Sequence, residues 1–492
     1  MTEPAPAVGR ADAAADPLAP YDAVLVLSYG GPAGPADVLP FMRNATAGRG
    51  VPDSRLLEVS GHYAGFDGVS PINARNAEML EALRAELARR GSSAPVVIGN
   101  RNWHPFVTEA MRELADGGAR RLLSLTTAAY ASYSGCRQYR EDTAAALARL
   151  AAGTDGATGG GFEADAAARV GGAGGEPVEL VVDKTRPFYN TPGMLEANAD
   201  AIADACAELA RAGVPLGGIR LVLVTHSIPV GMERGSAPHA GDGAQLELRV
   251  SHSGVSAPHA GDGVPGDAGD AVGTAAGGPG RTGAGSGSAA NAPTGGQDLP
   301  APGAAPLEPG VAADLSTEIS YVDQHRRFIE VLLPAVARRL GTAAAPAHDL
   351  VFCSRSGPPQ ARWLEPDVND HLEALAAGRL TDGTAVAAPD GVVVAPIGFV
   401  ADHMEVVFDL DTEARATAER LAMPYVRAAT AGTHPAFIAS LADVLLERAA
   451  VARGEDVAPA STTGTGPFHT VCPESCCRPA ASGHSARPRR PR

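Results

Sequence analysis

Short apolar runs alternate along the chain with longer segments in which apolar residues recur every three or four positions. The runs at 23–28 and 219–226 are rich in branched residues and predict buried strands, whereas the repeat over 72–89 predicts an amphipathic helix. Strands that alternate with helices are typical of βαβ units and of a mostly parallel sheet. The alternation stops and restarts once, so we predict two similar α/β domains that face a cleft.

Glycine-rich segments and changes of pattern predict the domain boundaries. Residues 235–314 are mostly Gly, Ala, Pro, Ser and Asp, and such a segment cannot bury enough apolar surface to become ordered. We predict a disordered N-terminus at 1–20, an N-terminal α/β domain at 21–176 with a glycine-rich loop at 152–175, a C-terminal α/β domain at 177–424 with a disordered insertion at 235–314, a helical segment at 425–452 that packs back on the first domain, and a flexible tail with a cysteine cluster at 453–492.

The composition narrows the classes of function. The formal net charge is −16, and Lys184 is the only lysine. An acidic chain without a basic stripe argues against nucleic acid and against an anionic membrane surface as partners. The first 20 residues do not resemble a signal peptide, and the apolar stretch at 391–400 is too short for a transmembrane segment. We therefore expect a soluble, cytoplasmic protein.

The apolar run LVLVTH ends on a histidine, His226. Open α/β sheets bind their ligands at the carboxyl ends of parallel strands, which favours a functional role for this imidazole. A single histidine at such a position is more often a hydrogen-bonded core residue. The strand alone leaves both interpretations open.

A row of acidic residues follows the apolar run at 391–400. Glu405, Asp409 and Glu413 are spaced four residues apart, which puts them on one face of a predicted α-helix. Like charges at this spacing disfavour a helix by roughly a few tenths of a kcal/mol per pair, and the row could be an ordinary solvated face. Because it begins at the ligand-binding end of the sheet, we expect it to guide a divalent cation through carboxylate oxygens and water.

Three cysteines lie close together near the C-terminus: Cys472, Cys476 and Cys477. In a reducing compartment, clustered thiols indicate a metal site rather than disulfides. Iron–sulfur clusters and structural zinc both use four ligands of this kind, so a fourth must come from elsewhere. Cys206 and Cys353 lie inside a predicted helix and a predicted strand, which leaves Cys136 as the best candidate. The spacing does not distinguish iron–sulfur from zinc.

Six segments, in order along the chain, resemble the ferrochelatase family: VLSYGGPAGPADVLPFMRNATAGRGVP, GVSPINARN, GNRNWHPF, THSIP, SRSGPPQARWLEPDV and PIGFVADHMEVVFDLD. The similarity extends from about Asp22 to Arg448 outside the glycine-rich segments. It is closest to the actinobacterial coproporphyrin III ferrochelatases. Six ordered motifs are far more specific than any one of them.

The resemblance implies two Rossmann-like domains with parallel sheets flanked by helices, in a chelatase-like arrangement with a porphyrin cleft between them. It implies a lyase that inserts Fe²⁺ into coproporphyrin III to give coproheme in haem biosynthesis, without a nucleotide or redox cofactor. In this family the THSIP histidine and the DHxE glutamate, here His226 and Glu405, face each other across the porphyrin and handle the metal. Asp409 and Glu413 match the acidic continuation of the same helix and are implied metal contacts.

The resemblance also implies contacts with the substrate. Ser70 and Tyr139 match porphyrin contacts, and Tyr29 resembles a tyrosine that can lie axial to the product iron. Arg49 and His62 are either partners of the propionates on the macrocycle or ordinary loop residues.

Several ferrochelatases bind a 2Fe–2S cluster through one internal cysteine and three near the C-terminus. The resemblance therefore implies Cys136, Cys472, Cys476 and Cys477 as cluster ligands, although their C-x-x-x-C-C grouping is closer than the spacing of some relatives. Fe²⁺ is the substrate metal, and the cluster is the expected prosthetic group.

Other functions remain open at this point. Protoporphyrin IX is the nearest alternative substrate, whereas similarity to a cobalt or nickel chelatase would not extend through all six motifs. A non-catalytic tetrapyrrole carrier with an iron–sulfur tail would bind porphyrin without needing His226 or Glu405. The expected partners are coproporphyrin III and ferrous iron, and the oligomeric state is left open, a monomer being plausible.

Overall fold

Two mainly parallel sheets organise the structure, which is a computed structural model. Residues up to Lys184 are called the first half of the chain, and the residues after it the second half. It describes residues 16–47, 51–153, 179–234, 248–249, 320–355, 361–472 and 476–477. Three predicted features therefore lie outside the described residues: most of the N-terminal segment, the loop at 154–175, and the insertion apart from 248–249.

The first sheet contains β1 (Ala23–Ser28), β2 (Val96–Asn100), β3 (Arg121–Thr126), β4 (Val181–Lys184) and the short β6 (Leu248–Arg249). The strand order is β2-β1-β3-β4-β6; the first four run parallel and β6 is antiparallel to β4. All six residues of β1 are buried, as expected for a central strand covered on both faces.

The helices of the first half are α1 (Pro35–Ala45), α2 (Asp53–Ala64), α3 (Ile72–Arg89), α4 (Val107–Asp116) and α5 (Gln138–Ala151), with a π-helix at Tyr133–Arg137 directly before α5. The apolar face predicted for α3 is buried, with Leu80, Leu83 and Leu87 in the core.

The second sheet contains β5 (Ile219–His226), β7 (Ala347–Cys353), β8 (Gly391–Ala395) and β9 (Tyr425–Arg427), all parallel, in the order β7-β5-β8-β9. Its helices are α6 (Pro192–Arg211), α7 (Val230–Arg234), α8 (Tyr321–Leu340), α9 (Val368–Ala376), α10 (Met404–Val406), α11 (Arg415–Arg420) and α12 (Pro435–Ala452), with a 3₁₀ turn at Leu216–Gly218 and a π-helix at Val407–Ala414. The predicted pair of parallel sheets flanked by helices is thus confirmed. No described helix combines enough length and hydropathy to cross a membrane.

Local sequence determines where these helices begin and end. The Ser320 hydroxyl accepts a hydrogen bond from the Asp323 amide at the start of α8, and Gly341 ends this helix with a left-handed φ of 66°. The last helix, α12, packs against both α6 and α3 and so joins the two halves of the chain. Its contact with α6 needs Gly193, because a Cβ there would lie 1.9 Å from the Ala436 carbonyl oxygen.

Several predicted boundaries differ from the structure. The strand Val181–Lys184, assigned to the second domain from sequence, pairs with β3 of the first sheet, so the first half extends to Lys184. Residues 425–427 form a strand of the second sheet rather than a helix, and residues 248–249, placed in a disordered insertion, form a strand that pairs with β4.

The ends of the chain are also more ordered than predicted where they are described. Leu18, placed in a disordered segment, is fully buried. Phe468, placed in a flexible tail, is only 4% exposed, and the amide of Thr462 donates to the Asn190 carbonyl oxygen at 2.8 Å. These segments are held because they bury apolar side chains and pair backbone groups with the body of the protein.

Candidate functional site

His226 is the last residue of β5 and is partly buried. Its Nδ1 lies 2.5 Å from the Ser227 carbonyl oxygen, and because a carbonyl can only accept, Nδ1 donates. The other ring nitrogen, Nε2, lies 3.4 Å from Oε1 of Glu405. Burial opposes the charged imidazolium, but Glu405, the Ser227 carbonyl and Asp409 outweigh it and raise the pKa of His226.

Glu405 lies between two histidines at the start of α10. Its second carboxylate oxygen is 3.4 Å from Nδ1 of His403. Burial raises the pKa of Glu405, but His226 and His403 together lower it to about 2. The carboxylate therefore stays charged at neutral pH. His403 was not predicted as a site residue, although its position two residues before the glutamate in the DHxE motif was a usable signal.

The acidic row continues on a π-helix rather than on the α-helix that we predicted. Asp409 and Glu413 both belong to Val407–Ala414, in which backbone hydrogen bonds span five residues instead of four. Asp409 is hydrogen-bonded to the hydroxyl of Ser354. Burial raises the pKa of Asp409 to about 7, and the like charges of Glu405 and Glu413 act in the same direction.

A cavity of about 290 Å³ lies beside this row. Four carboxylates line it, from Asp367, Asp370, Asp409 and Glu413, together with the guanidinium of Arg355, so its lining is acidic on balance. Its volume is at the lower end of the range of ligand pockets, so it suits a hydrated ion better than a macrocycle.

His62, from the first half of the chain, also lines this cavity. Its ring stacks on Phe408 of the π-helix, with ring centres 4.0 Å apart and planes 9° from parallel. Because His62 is on α2, this stack joins the two halves next to Asp409. The structure thus brings His226, Glu405, Asp409, Glu413 and His62 into one region.

Two other predicted substrate contacts lie in the loops of the first half. Tyr29 follows β1 directly, is 40% exposed, and packs edge-on against Phe41. Ser70 is buried against Gly31, where an added Cβ would lie 2.4 Å from the Cβ of Ser70. Arg49 lies outside the described residues.

Tyr139 is buried on α5 beneath a cation. The guanidinium of Arg101 lies 4.4 Å from the centre of its ring and also binds Asp142 at 2.6 Å. Burial raises the pKa of Tyr139 to about 12, and the charges of Asp142, Tyr29 and Glu405 contribute in the same direction. Arg101 was not predicted as a site residue, although it stands in the motif GNRNWHPF.

The four predicted cluster ligands form a closed ring of sulfur contacts. Cys136 contacts Cys472 and Cys477, Cys472 contacts Cys476, and the Cys476 and Cys477 sulfurs are 3.6 Å apart. Hydrogen bonds from Cys472 and Cys477 lower the pKa of Cys136, which favours the thiolate that metals bind. Four buried or half-buried thiols in mutual contact fit the ligand set of a 2Fe–2S cluster or of a structural zinc.

Other residues are close to these sulfurs or separate from them. His469 could share a metal ion with Cys472 and Cys476, because their ligand atoms lie within 4.8 Å of one another. Cys206 is a buried residue of α6 in the core, and Cys353 lines the acidic cavity.

Comparison with known proteins adds independent findings. The sequence model of a family described as Ferrochelatase matches residues 21–449. The chain is 39% identical over 472 residues to a coproporphyrin III ferrochelatase of Streptomyces coelicolor, covering 94% of this chain and 96% of the relative. It is 38% identical over 474 residues to the one of Streptomyces griseus, with the same two coverages of 94% and 96%. Among solved structures it is similar to SirB from Bacillus subtilis with Fe³⁺, at a TM-score of 0.38 and 11% identity, covering 88% of this chain and 97% of that one.

Proposed function

The chain belongs to the ferrochelatase family, and we propose that it inserts Fe²⁺ into coproporphyrin III to form coproheme in haem biosynthesis. The observation that carries the mechanism is the pair His226–Glu405 at the carboxyl end of β5, joined to an acidic row and an acidic cavity. The choice of coproporphyrin over protoporphyrin rests on the names of the Streptomyces relatives.

Metal insertion exchanges two pyrrole protons for one dication. Nδ1 of His226 is committed to the Ser227 carbonyl, so Nε2 is the nitrogen that can bind iron or accept a proton. Glu405 remains ionised and lies next to it, which lets the pair hold a positive charge as either a proton or Fe²⁺. We assign metal and proton handling to the pair as a unit.

Asp409 and Glu413 are proposed to lead Fe²⁺ to this pair. Their carboxylates are hard oxygen ligands that bind a divalent cation through water. Asp409, with a pKa of about 7, can release a proton when the cation arrives. The row begins in the acidic cavity and continues to Glu405 along one helical segment.

The first half of the chain is proposed to hold the macrocycle. Tyr29, Ser70 and Tyr139 lie on this side, where the Arg101 cation over the Tyr139 ring is paired with Asp142. Four propionates make coproporphyrin III the more anionic of the two porphyrins. His62 and, outside the described residues, Arg49 are the proposed propionate partners.

We further propose that the ring of sulfurs binds a 2Fe–2S cluster through Cys136, Cys472, Cys476 and Cys477. When bound, such a cluster supplies a one-electron redox centre. The four thiols hold together the π-helix before α5 and the C-terminal segment. Brown protein with visible thiolate-to-iron absorption is the expected result, and colourless protein with stoichiometric zinc after anaerobic purification would contradict it.

A competition assay tests the proposed reaction. The full chain is supplied anaerobically with Fe²⁺ and equal amounts of coproporphyrin III and protoporphyrin IX, and the two products are separated by chromatography. Coproheme should form first and in large excess. An excess of protohaem would show that protoporphyrin IX is the substrate. Tight binding of both porphyrins without metal insertion would indicate a carrier.

A further inference from the structure

Three buried polar side chains form a hydrogen-bonded group, here called the polar triad, next to His226. The hydroxyl oxygens of Thr225 and Tyr321 are 2.7 Å apart, and the Thr225 hydroxyl oxygen is also 2.8 Å from Nε2 of His325. Thr225 precedes His226 in β5, whereas Tyr321 and His325 lie at the start of α8. All three residues of the triad are buried, so its hydrogen bonds are shielded from water.

The direction of each hydrogen bond in the triad follows from one backbone carbonyl. Nδ1 of His325 lies 2.8 Å from the Tyr321 carbonyl oxygen, which can only accept, so Nδ1 donates. Burial keeps the His325 ring neutral, and its Nε2 therefore accepts from the Thr225 hydroxyl. The Thr225 oxygen is left to accept from the Tyr321 hydroxyl. The triad thus has a single donor direction, from Tyr321 through Thr225 to His325.

The triad reaches the backbone of His226. The Tyr321 hydroxyl also donates to the His226 carbonyl oxygen at 3.2 Å, so Thr225 and His226 share its single proton. The next amide, that of Ser227, donates to the Cys353 carbonyl oxygen at 2.7 Å. The Ser227 carbonyl in turn accepts from Nδ1 of His226. Together these three hydrogen bonds fix the peptide that carries the imidazole.

The loop that leads to α10 rests on the same polar group. The ring of Tyr130 stacks on His325, with ring centres 3.7 Å apart and planes 9° from parallel, and its hydroxyl donates to the Ile397 carbonyl oxygen at 3.2 Å. Gly398 follows in this loop, and an added Cβ there would lie 2.0 Å from the Thr225 hydroxyl oxygen. The loop is therefore held directly against the triad.

We propose that the polar triad positions the imidazole of His226 so that Nε2 stays directed at Glu405. The inference rests on the proposed role of His226 in metal insertion. The triad acts through the His226 backbone and the adjoining loop, so its members are positioning residues. A displacement of about 1 Å at a reacting group can slow a reaction by about 100-fold, which makes the orientation of one peptide important for the rate.

Stability alone does not require polar side chains at these three positions. A buried hydrogen bond adds little net stability, and an apolar side chain of similar shape would fill the same space. Hydrogen bonds add direction, because each donor has to point at its acceptor. The structure places this directional contact on the residue whose orientation the proposed reaction needs.

Single-turnover insertion of Fe²⁺ into bound coproporphyrin III, with the full-length protein under anaerobic conditions, tests the proposal. Thr225→Val keeps the branched shape and removes the hydroxyl, whereas Thr225→Ser keeps the hydroxyl. Thr108→Val, at a fully buried threonine of α4, is the matched control. Thr225→Val should insert iron at least about fivefold more slowly, with the Kd for porphyrin within about twofold of the wild type. Thr225→Ser and Thr108→Val should both stay within about twofold of the wild-type rate.

The same substitution in the His226→Ala background separates positioning from a general structural role. A triad that acts through His226 has nothing left to position there, so Thr225→Val should change the remaining rate by less than about twofold. An equal loss in both backgrounds would overturn the proposal, as would a wild-type rate in Thr225→Val alone. A wild-type rate in His226→Ala alone would overturn the role of His226 in insertion, and with it this inference.

A second measurement covers the case in which Thr225→Val does not fold, and it requires neither iron nor porphyrin. Nitrogen-15 NMR of histidine-labelled protein, at a pH above the pKa of His226, reports which ring nitrogen carries the proton, and His226→Ala identifies the signal among the 13 histidines. Tyr321→Phe removes only the hydroxyl, and the Nε2-protonated form of His226 should become at least about fivefold more populated. An unchanged population in folded Tyr321→Phe protein would overturn the positioning role, whether or not the chain inserts iron.

Discussion

At the scale of single residues, the hydrogen-bond partners of each polar atom determine which chemistry a side chain can perform. His226 is a candidate ligand because the Ser227 carbonyl occupies Nδ1 and leaves Nε2 facing Glu405. The sequence predicted the positions of both residues, since a strand end and a motif mark them. It did not indicate His403 or the Arg101 cation over Tyr139, because their roles arise from contacts between distant segments.

Asp409 tests the acidic path at this scale. Asp409→Asn keeps the shape and the hydrogen bond with Ser354 but removes the charge that attracts the cation. The KM for Fe²⁺ should rise about five- to tenfold, while kcat stays within about twofold, because only the delivery of the ion is affected. Asp116→Asn, on the exposed face of α4, is the control. A loss of kcat with an unchanged KM would instead place Asp409 in the insertion step.

The buried His325 should make the free energy of unfolding depend on pH. It is fully buried, its Nδ1 donates to the Tyr321 carbonyl oxygen, and its Nε2 accepts from Thr225, both at 2.8 Å. Burial lowers the pKa of His325 from 6.5 to about 3, so the unfolded chain binds a proton first as the pH falls. The stabilisation is therefore complete above pH 6.5 and is lost progressively towards pH 3.

Urea unfolding at pH 7 and pH 5 measures this effect. Between these values the wild type should lose about 2 kcal/mol more than His325→Gln, whose side chain does not titrate. The variant will be less stable at both values, and only the difference between the two pH values is diagnostic. An identical pH dependence in the two proteins would contradict a neutral, buried His325.

At the scale of secondary-structure elements, the hydrophobic pattern predicted most of the strands and the long helices correctly, but it missed the π-helices and the strand at 425–427. The segment 407–414 has the apolar spacing of an ordinary α-helix, with Leu410 and Ala414 buried on one side. We attribute the π-helical hydrogen bonding of this segment to its tertiary contacts, which include the stack of Phe408 on His62 and the hydrogen bond of Asp409 with Ser354. Tertiary contacts of this kind are not encoded in a local pattern.

The crossing of α6 and α12 provides a test at this scale. Gly193→Ala would place a methyl group against the Ala436 carbonyl and force the two helices apart, at a cost of about 1–3 kcal/mol. Gly217→Ala is the matched control, because no atom lies within 4 Å of the Cβ position there. Its effect should stay within about 0.5 kcal/mol in the same denaturation experiment. Equal stabilities of the two variants would contradict the close helix contact.

At the scale of the whole molecule, the two parallel sheets followed from the alternation of strands and helices, whereas the division between them did not. The run at 181–184 reads as a strand in either half, and only its pairing with β3 assigns it to the first. The cysteine ring likewise joins Cys136 to residues more than three hundred positions later. The family resemblance suggested from the sequence that these cysteines are partners. Which sulfur contacts which could be seen only in the folded structure.

A buried ion pair connects the distant segments. Arg186, in the loop after β4, binds Glu447 of α12 at 2.8 Å, and the hydroxyl of Thr470 donates to the same carboxylate at 3.0 Å. Glu447→Gln should cost about 3–5 kcal/mol, because the Arg186 charge is left buried without a partner. The substitution should also speed the loss of cluster iron to a chelator, because it weakens the hydrogen bond that holds Thr470, and Thr470 closely precedes the proposed cluster ligand Cys472 in sequence.

Asp443→Asn on the same helix is the control for Glu447→Gln. Asp443 pairs with Arg90 at an exposed position, so the loss should be below about 1 kcal/mol. Unfolding curves and the rate of iron release are measured on the same samples. Equal effects of the two substitutions would show that the buried pair has no special role in holding the C-terminal segment.

The central claim is that His226 and Glu405 insert the metal rather than merely bind the porphyrin. Single-turnover insertion of Fe²⁺ into bound coproporphyrin III, followed anaerobically by the Soret band, tests it most directly in the wild type, His226→Ala, Glu405→Gln and the exposed control His348→Ala. We predict that all four proteins bind the porphyrin with Kd values within about threefold, while the two site variants insert iron at least about 100-fold more slowly. Insertion at the wild-type rate in either site variant would contradict the account.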